Sequence, residues 1–226
     1  MLKIHLLYRY KSIHFLYNMI KKLNRLGVEE KLKTLDLVVF TPKEFKGIFG
    51  VSENTASVFL SNNVTSGLFL KLRNGFYMLK DSRPSHYFIA NKLYKPSYIS
   101  LEHALSHYGI IPETVYSITS ITSKATREFE TPMGVFSYQR IKQYAFKGYT
   151  LEQIDGEKVL IAEAEKALAD YLYFVDLKKV SLNDRLELKN INKKKLIEYS
   201  KMFKRDSILK LIDQIYVEYK KPRKIY

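Results

Sequence analysis

The stretch TPKEFKGIFGVSENTASVFLSNNVTSGLFLKLRNGFYMLK, residues 41–80, decides how the first part of this chain is read. It opens with a complete helix start. Thr41 takes the N-cap, Pro42 the N1 position, where a missing N–H costs nothing, and Glu44 can close a capping box. Phe45, Ile48 and Phe49 give that helix an apolar face, and Gly50 ends it. Val51 plugs the turn, and Ser52 caps a second helix running to about Asn63. In it Ala56, Phe59, Leu60 and Val64 recur at three- and four-residue spacings and are predicted to pack inward. Asn54, Thr55, Ser57, Val58, Ser61 and Asn62 are left on or near the opposite face. Two strand-like runs, Leu68–Leu72 and Phe76–Leu79, are then joined through Arg73-Asn74-Gly75. Asn-Gly is a strong hairpin signal, because both turn positions of that hairpin must accept positive φ.

Helix, turn, helix and a basic-tipped hairpin is the order of a winged helix-turn-helix. Small hydroxyl and amide side chains approach base edges and phosphates closely, while a basic wing supplies phosphate contacts. The candidate DNA-binding residues are therefore Ser52, Asn54, Thr55, Ser57, Ser61 and Asn62 on the helix, with Lys71, Arg73 and Asn74 on the wing. For the helix pair alone a solvated polar face is the plain alternative, and winged folds also serve as protein-interaction modules. Upstream, Leu37–Phe40 reads as a short strand or a buried approach, and Met19–Leu26 as a short helix ended by Gly27.

The charge supports a polyanionic partner. Among 226 residues, 38 are Lys or Arg and 23 Asp or Glu, a net charge of +15. Residues 1–90 carry a surplus of +8, residues 91–177 a deficit of −2 and residues 178–226 a surplus of +9, so the excess sits at the two ends. Two basic surfaces fit that distribution better than a uniform composition effect does. The second candidate surface comprises Lys193, Lys194, Lys195, Lys201, Lys204 and Arg205; the usual fate of such a charge run is a solvated face. Cysteine is absent, which excludes disulfides, thiolate metal sites and cysteine nucleophiles. No uncharged run approaches the roughly 20 apolar residues of a membrane span, and no cleavable leader pattern opens the chain. A cytoplasmic location with no membrane partner is expected.

Asp81-Ser82-Arg83-Pro84 breaks the pattern. The expected organisation is a peripheral segment over 1–18, a winged helix-turn-helix over 19–83 and a larger mixed α/β domain over 84–226, α+β overall with a helical C-terminus. Ser100 is read as the cap of a helix with Leu101, Ala104, Leu105 and Tyr108 on one face, closed by Gly109. His103 and His107 are four apart on the opposite face. With no neighbouring ligand cluster, a solvated face outweighs a metal site. Val115–Thr122 reads as a strand. Pro132-Met133-Gly134 and Asp155-Gly156 read as hairpin turns, Ala162–Phe174 as an amphipathic helix, and the chain from Ser181 onward as helical and basic.

Phosphate-binding glycine loops and nucleophile elbows are missing. Glu187-Leu188-Lys189, with Asp170 or Asp176 upstream, has the spacing of a metal-dependent nuclease. It lies in what reads as a charged helical stretch, where solvation explains it better. Glu163 and Glu165 suit a helix start through the helix dipole. No catalytic residue, metal site or cofactor is expected.

Several ordered blocks resemble the AbiEi family of antitoxins: Pro96–Pro112 (PSYISLEHALSHYGIIP), Thr119–Phe129, Phe136–Arg140 and Ile161–Tyr173 (IAEAEKALADYLY). The resemblance covers roughly residues 20–220. It implies an N-terminal winged helix domain that represses its own operon by binding duplex operator DNA. It also implies a C-terminal domain that counteracts a nucleotidyltransferase-like AbiEii toxin without requiring a stable toxin–antitoxin complex. Residues 1–18 fall outside the pattern. Two other readings stand beside it: a metal-dependent DNA nuclease targeted by a winged helix, and a ligand-sensing transcriptional regulator. The oligomeric state is left open by the sequence.

Overall fold

A computed structural model describes residues 23–219. The expectations placed on residues 1–18, and on the first part of the Met19–Leu26 helix, lie outside them. The fold is mixed, with eight α-helices and two sheets among the described residues, and the chain divides into two compact units between Arg83 and Pro84.

The first unit runs α1 (Arg25–Thr34), β1 (Val39–Phe40), α2 (Pro42–Phe49), α3 (Glu53–Thr65), β2 (Phe69–Arg73) and β3 (Phe76–Leu79). Gly27 does not end a helix, as the sequence had suggested. It sits in the first turn of α1, where its N–H donates to the Asn24 side chain at 2.8 Å. Asn24 is a strong N-cap, and Val28 and Leu32 give the following turns a face to bury, so the helix starts where a stop was expected. The α2 start is as the sequence indicates. The Thr41 N–H donates to Glu44 Oε2 at 2.7 Å, and the Glu44 N–H returns to Thr41 Oγ1 at 3.3 Å. Gly50 ends the helix with φ 60°, a conformation that glycine adopts without steric cost.

The strands form an antiparallel sheet in the order β1-β3-β2. Phe40, Phe45, Ala56, Leu60 and Phe69 are buried between this sheet and the helices. The Phe45 ring lies 4.4 Å from Phe49, 5.7 Å from Phe59 and edge-on to Phe69 at 6.4 Å, so aromatic contacts tie α2 to α3 and β2. The β2–β3 turn corrects one expectation. Gly75 has φ 78°, whereas Asn74 is not in the positive-φ region. A register shift between Lys71 and Arg73 supplies the twist that a mirror-image turn would otherwise give.

The second unit runs α4 (His86–Leu93), β4 (Ser97–Ile99), α5 (Leu101–His107), β5 (Ile118–Thr122), β6 (Arg127–Thr131), β7 (Gly134–Arg140), a 3₁₀ turn (Gln143–Ala145), β8 (Tyr149–Ile154), β9 (Glu157–Ala162), α6 (Ala164–Asp176), α7 (Lys193–Lys201) and α8 (Asp206–Tyr219). Six strands form one sheet in the order β6-β7-β5-β4-β9-β8. β4–β9 and β5–β7 are parallel; the other neighbours are antiparallel. At Asp155-Gly156 both turn residues do have positive φ, 51° and 82°, and Ile154 pairs directly with Glu157.

Two further expectations change. Val115–Ser117 lie before the strand. The segment from Ser181 to Asn192 is irregular rather than helical, so Glu187 and Lys189 sit on a loop. Its Leu186, Leu188 and Ile191 are buried, and the Glu187 N–H donates to the Ile110 carbonyl at 2.8 Å. With the Glu187 N–H donated to Ile110, the bond that a helix would direct to the carbonyl four residues back is not made.

Candidate nucleic-acid interface

Helix α3 presents one uncharged polar face. Its start is fixed by Ser52, whose Oγ accepts the Thr55 N–H at 3.0 Å and shares a hydrogen bond with Thr55 Oγ1 at 2.8 Å. Ser52 and Thr55 thus spend their hydroxyls on the cap. Ala56 and Leu60 are fully buried, and Asn63 turns inward to donate to the Phe59 carbonyl at 2.8 Å. Asn54, Thr55, Ser57, Val58, Ser61 and Asn62 are all exposed. Beyond Glu53 the helix carries no charged residue.

The hairpin brings its basic residues to one tip. Lys71 and Asn74 are exposed, and Arg73 lays its guanidinium 4.0 Å over the Phe76 ring while Nη1 donates to the Asn74 carbonyl at 3.2 Å. Stacking on Phe76 limits the side chain's rotamers. Residues 23–83 hold nine Lys and Arg against six Asp and Glu, a surplus of three, so most of the N-terminal excess belongs to residues 1–22.

Half of the second basic group is already paired. Lys193 Nζ lies 2.8 Å from Asp213, Lys195 Nζ 2.6 Å from Glu163 and 3.5 Å from Glu165, and Arg205 bonds Asp176. Lys195 holds the Glu163 carboxyl below its ordinary range, and Glu163 in turn raises Lys195. Lys204 Nζ stands 5.0 Å over the Tyr144 ring, while Lys194 and Lys201 have no ion-pair partner among the described residues. Glu163 and Glu165 do more than complement a helix dipole: they anchor α7 to the start of α6.

The histidines part company. His107 is exposed and His103 half-buried, with its ring 4.8 Å from Tyr87, so the two do not share one fully solvated face. Burial, with His107 and His86 nearby, lowers its pKa to about 4, and its Nδ1 has no hydrogen-bond partner. No group of three or more His, Asp or Glu able to hold a metal occurs among the described residues.

The most heavily built polar site of the second unit escaped the sequence reading. Lys166 and Asp170 are both fully buried and bonded to each other across one turn of α6. Asp170 Oδ2 also accepts the Tyr98 hydroxyl at 3.1 Å and the Ser100 hydroxyl at 2.8 Å. Ser100 stands at the N-cap of α5, yet it caps nothing with its side chain, because Asp170 claims it. Burial pushes the Asp170 carboxyl up, against the lowering by Lys166 and these hydrogen bonds. Lys166 Nζ also lies 4.9 Å above the Phe203 ring. The available signal was a Lys and an Asp four apart in the otherwise apolar run KALADYLY, residues 166–173. Asp170 is therefore committed to structure. Helix α6 buries residues on nearly all its sides rather than along one stripe.

No helix among the described residues is long and apolar enough to cross a membrane. No known protein-family model matches this chain, and no curated protein matches its sequence.

Proposed function

We propose that this chain is a non-enzymatic DNA-binding antitoxin that represses its own operon. The observation that carries the DNA-binding part is the exposed, uncharged polar face of α3 in the same small unit as a basic hairpin tip. The element order of that unit and its β1-β3-β2 sheet support a winged helix, with α3 as recognition helix and β2–β3 as wing. In that geometry Asn54, Ser57, Ser61 and Asn62 face base edges in the major groove, and Lys71 and Arg73 follow the phosphates. Thr55 and Ser52 act one step back, by holding the helix start. The antitoxin part rests on the resemblance of the second unit to AbiEi antitoxins, and the expected toxin is a nucleotidyltransferase-like protein. A nuclease reading draws no support from Asp170, whose carboxylate is bound by Lys166, Tyr98 and Ser100.

Footprinting of the full chain on the DNA upstream of its own gene tests the first part. Protection of a discrete site is expected, and binding of equal strength to any duplex would refute sequence-specific repression. Co-expression with the product of the adjacent gene tests the second: growth should be rescued by this chain and not by an empty vector.

A further inference from the structure

We infer that Val58 reads the 5-methyl group of a thymine in the major groove, which makes it a specificity-determining residue; this rests on the DNA-binding reading above. Val58 is 51% exposed on α3. Projected at 3.6 residues per turn, Asn54, Val58 and Ser61 lie within about 60° of one another, with Ser57 and Asn62 on the two flanks. The valine therefore lies within the outward arc, about 40° round from Asn54, and the arc residues Asn54, Ser57, Ser61 and Asn62 are small and polar.

Helix stability does not account for the arc. A face that meets only water is ordinarily filled with Lys, Glu, Arg or Gln, which are good helix formers and solvate well. From Asn54 to Thr65 there is none of these; the outward positions hold Asn, Thr, Ser and Val, all weaker helix formers. A β-branched apolar side chain on such a face gains by burial against another apolar group. On the major-groove edge of unmodified duplex DNA, the group of that kind is the thymine methyl. The amides at Asn54 and Asn62 can pair bidentately with adenine, so the arc as a whole suits an A·T step.

The test takes a duplex enriched from a random-sequence pool by the full chain, and replaces each thymine in the protected region by uracil, which removes only the methyl. One substitution should weaken binding of the native chain about fourfold, the worth of one buried methyl-sized group. Val58→Ser should weaken binding to the thymine duplex by a similar factor and lose the thymine–uracil difference, with an unchanged circular dichroism spectrum. A native chain that binds selectively yet is indifferent to every thymine-to-uracil change overturns the inference while leaving the DNA-binding reading intact. So does a Val58→Ser variant that keeps the native preference. Failure to enrich any duplex overturns both.

Discussion

Replacing Lys166 by Met leaves a carboxylate in the interior with its counter-ion gone. Lys166 and Asp170 are both 0% exposed. Removing one member of a fully buried pair typically costs about 3–5 kcal/mol, most of it the penalty of the charge left behind. Here the Tyr98 and Ser100 hydroxyls still donate to Asp170, so the lower end, about 3 kcal/mol at pH 7, is expected. Asp170 already has a folded-state pKa above its unfolded value, because burial outweighs the stabilisation of its charge. Without Lys166 that upward displacement grows. A carboxyl whose pKa is raised on folding contributes stability that is full below the unfolded pKa and is lost as pH rises through the folded one. The variant should therefore recover on acidification towards pH 4, the range where an unperturbed Asp titrates. Adding Asp170→Asn to Lys166→Met removes the stranded charge and should return much of the loss at pH 7. Urea denaturation suits the measurement; with 18 tyrosines and no tryptophan, tyrosine fluorescence and far-ultraviolet circular dichroism report it. A Lys166→Met loss under about 1 kcal/mol that does not change with pH would refute the reasoning, as would a double variant weaker than the single one.

Gly148 has φ +83°, and a Cβ there would stand 2.6 Å from a Tyr199 ring carbon. Gly148→Ala should thus cost about 2 kcal/mol or more, whereas Gly156→Ala, with φ +82° but open space around it, should cost about 1 kcal/mol, both read by urea titration. His103, with its pKa lowered to about 4 from 6.5, contributes stability that is full above pH 6.5 and is lost as pH falls through 4; ring-proton NMR should give that low value, and His103→Phe should flatten the acid limb. Reversing Lys193 and Lys195 to Glu should destabilise the second unit by setting like charges against Asp213, Glu163 and Glu165. Lys194→Glu with Lys201→Glu should leave the melting curve unchanged, so only the latter pair tests nucleic-acid binding cleanly in a gel shift. Arg73→Ala should weaken binding to every duplex alike and reduce the salt slope by about one, and a loss confined to one sequence would argue against a phosphate contact.

What the sequence reveals well is what neighbouring residues decide. The Thr41–Glu44 capping box, the Ser52 cap and the Asp155-Gly156 hairpin each involve groups within a few positions of one another, and each is formed. Asn24 shows the limit of local reading, since a glycine that looks like a stop is tolerated inside the first turn once a strong cap precedes it. Ser100 shows another: local geometry puts it at a helix start, but its hydroxyl is spent on Asp170, seventy residues away. Lys166 and Asp170 have the spacing of an ordinary exposed helix pair. Tyr98 from one strand and Phe203 from beyond α7 lie against Lys166, and residues this far apart in sequence are what make the pair a buried one. The exposed face of α3 was legible because the buried positions of a short helix define it by subtraction. That Thr55 is held by Ser52 was not legible, because a hydroxyl's choice between backbone, neighbour and solvent is settled by rotamer.

The parallel pairing of β4 with β9 fixes an order of events during synthesis. Every strand of the first sheet emerges by Leu79, so that unit can close while the rest is still being made. The centre of the second sheet cannot. Ile99 waits for Ile161, and until β9 arrives the β4 edge offers unpaired N–H and C=O groups to any passing strand. Pairing across that much chain is slow to nucleate, because the loop must be closed before any contact rewards it. A polypeptide interrupted between residues 100 and 157 would hold a finished N-terminal unit fused to an open, adhesive sheet. Such a fragment is a natural substrate for chaperones and proteases, so interrupted synthesis would lower the amount of the whole chain rather than release a stable N-terminal half.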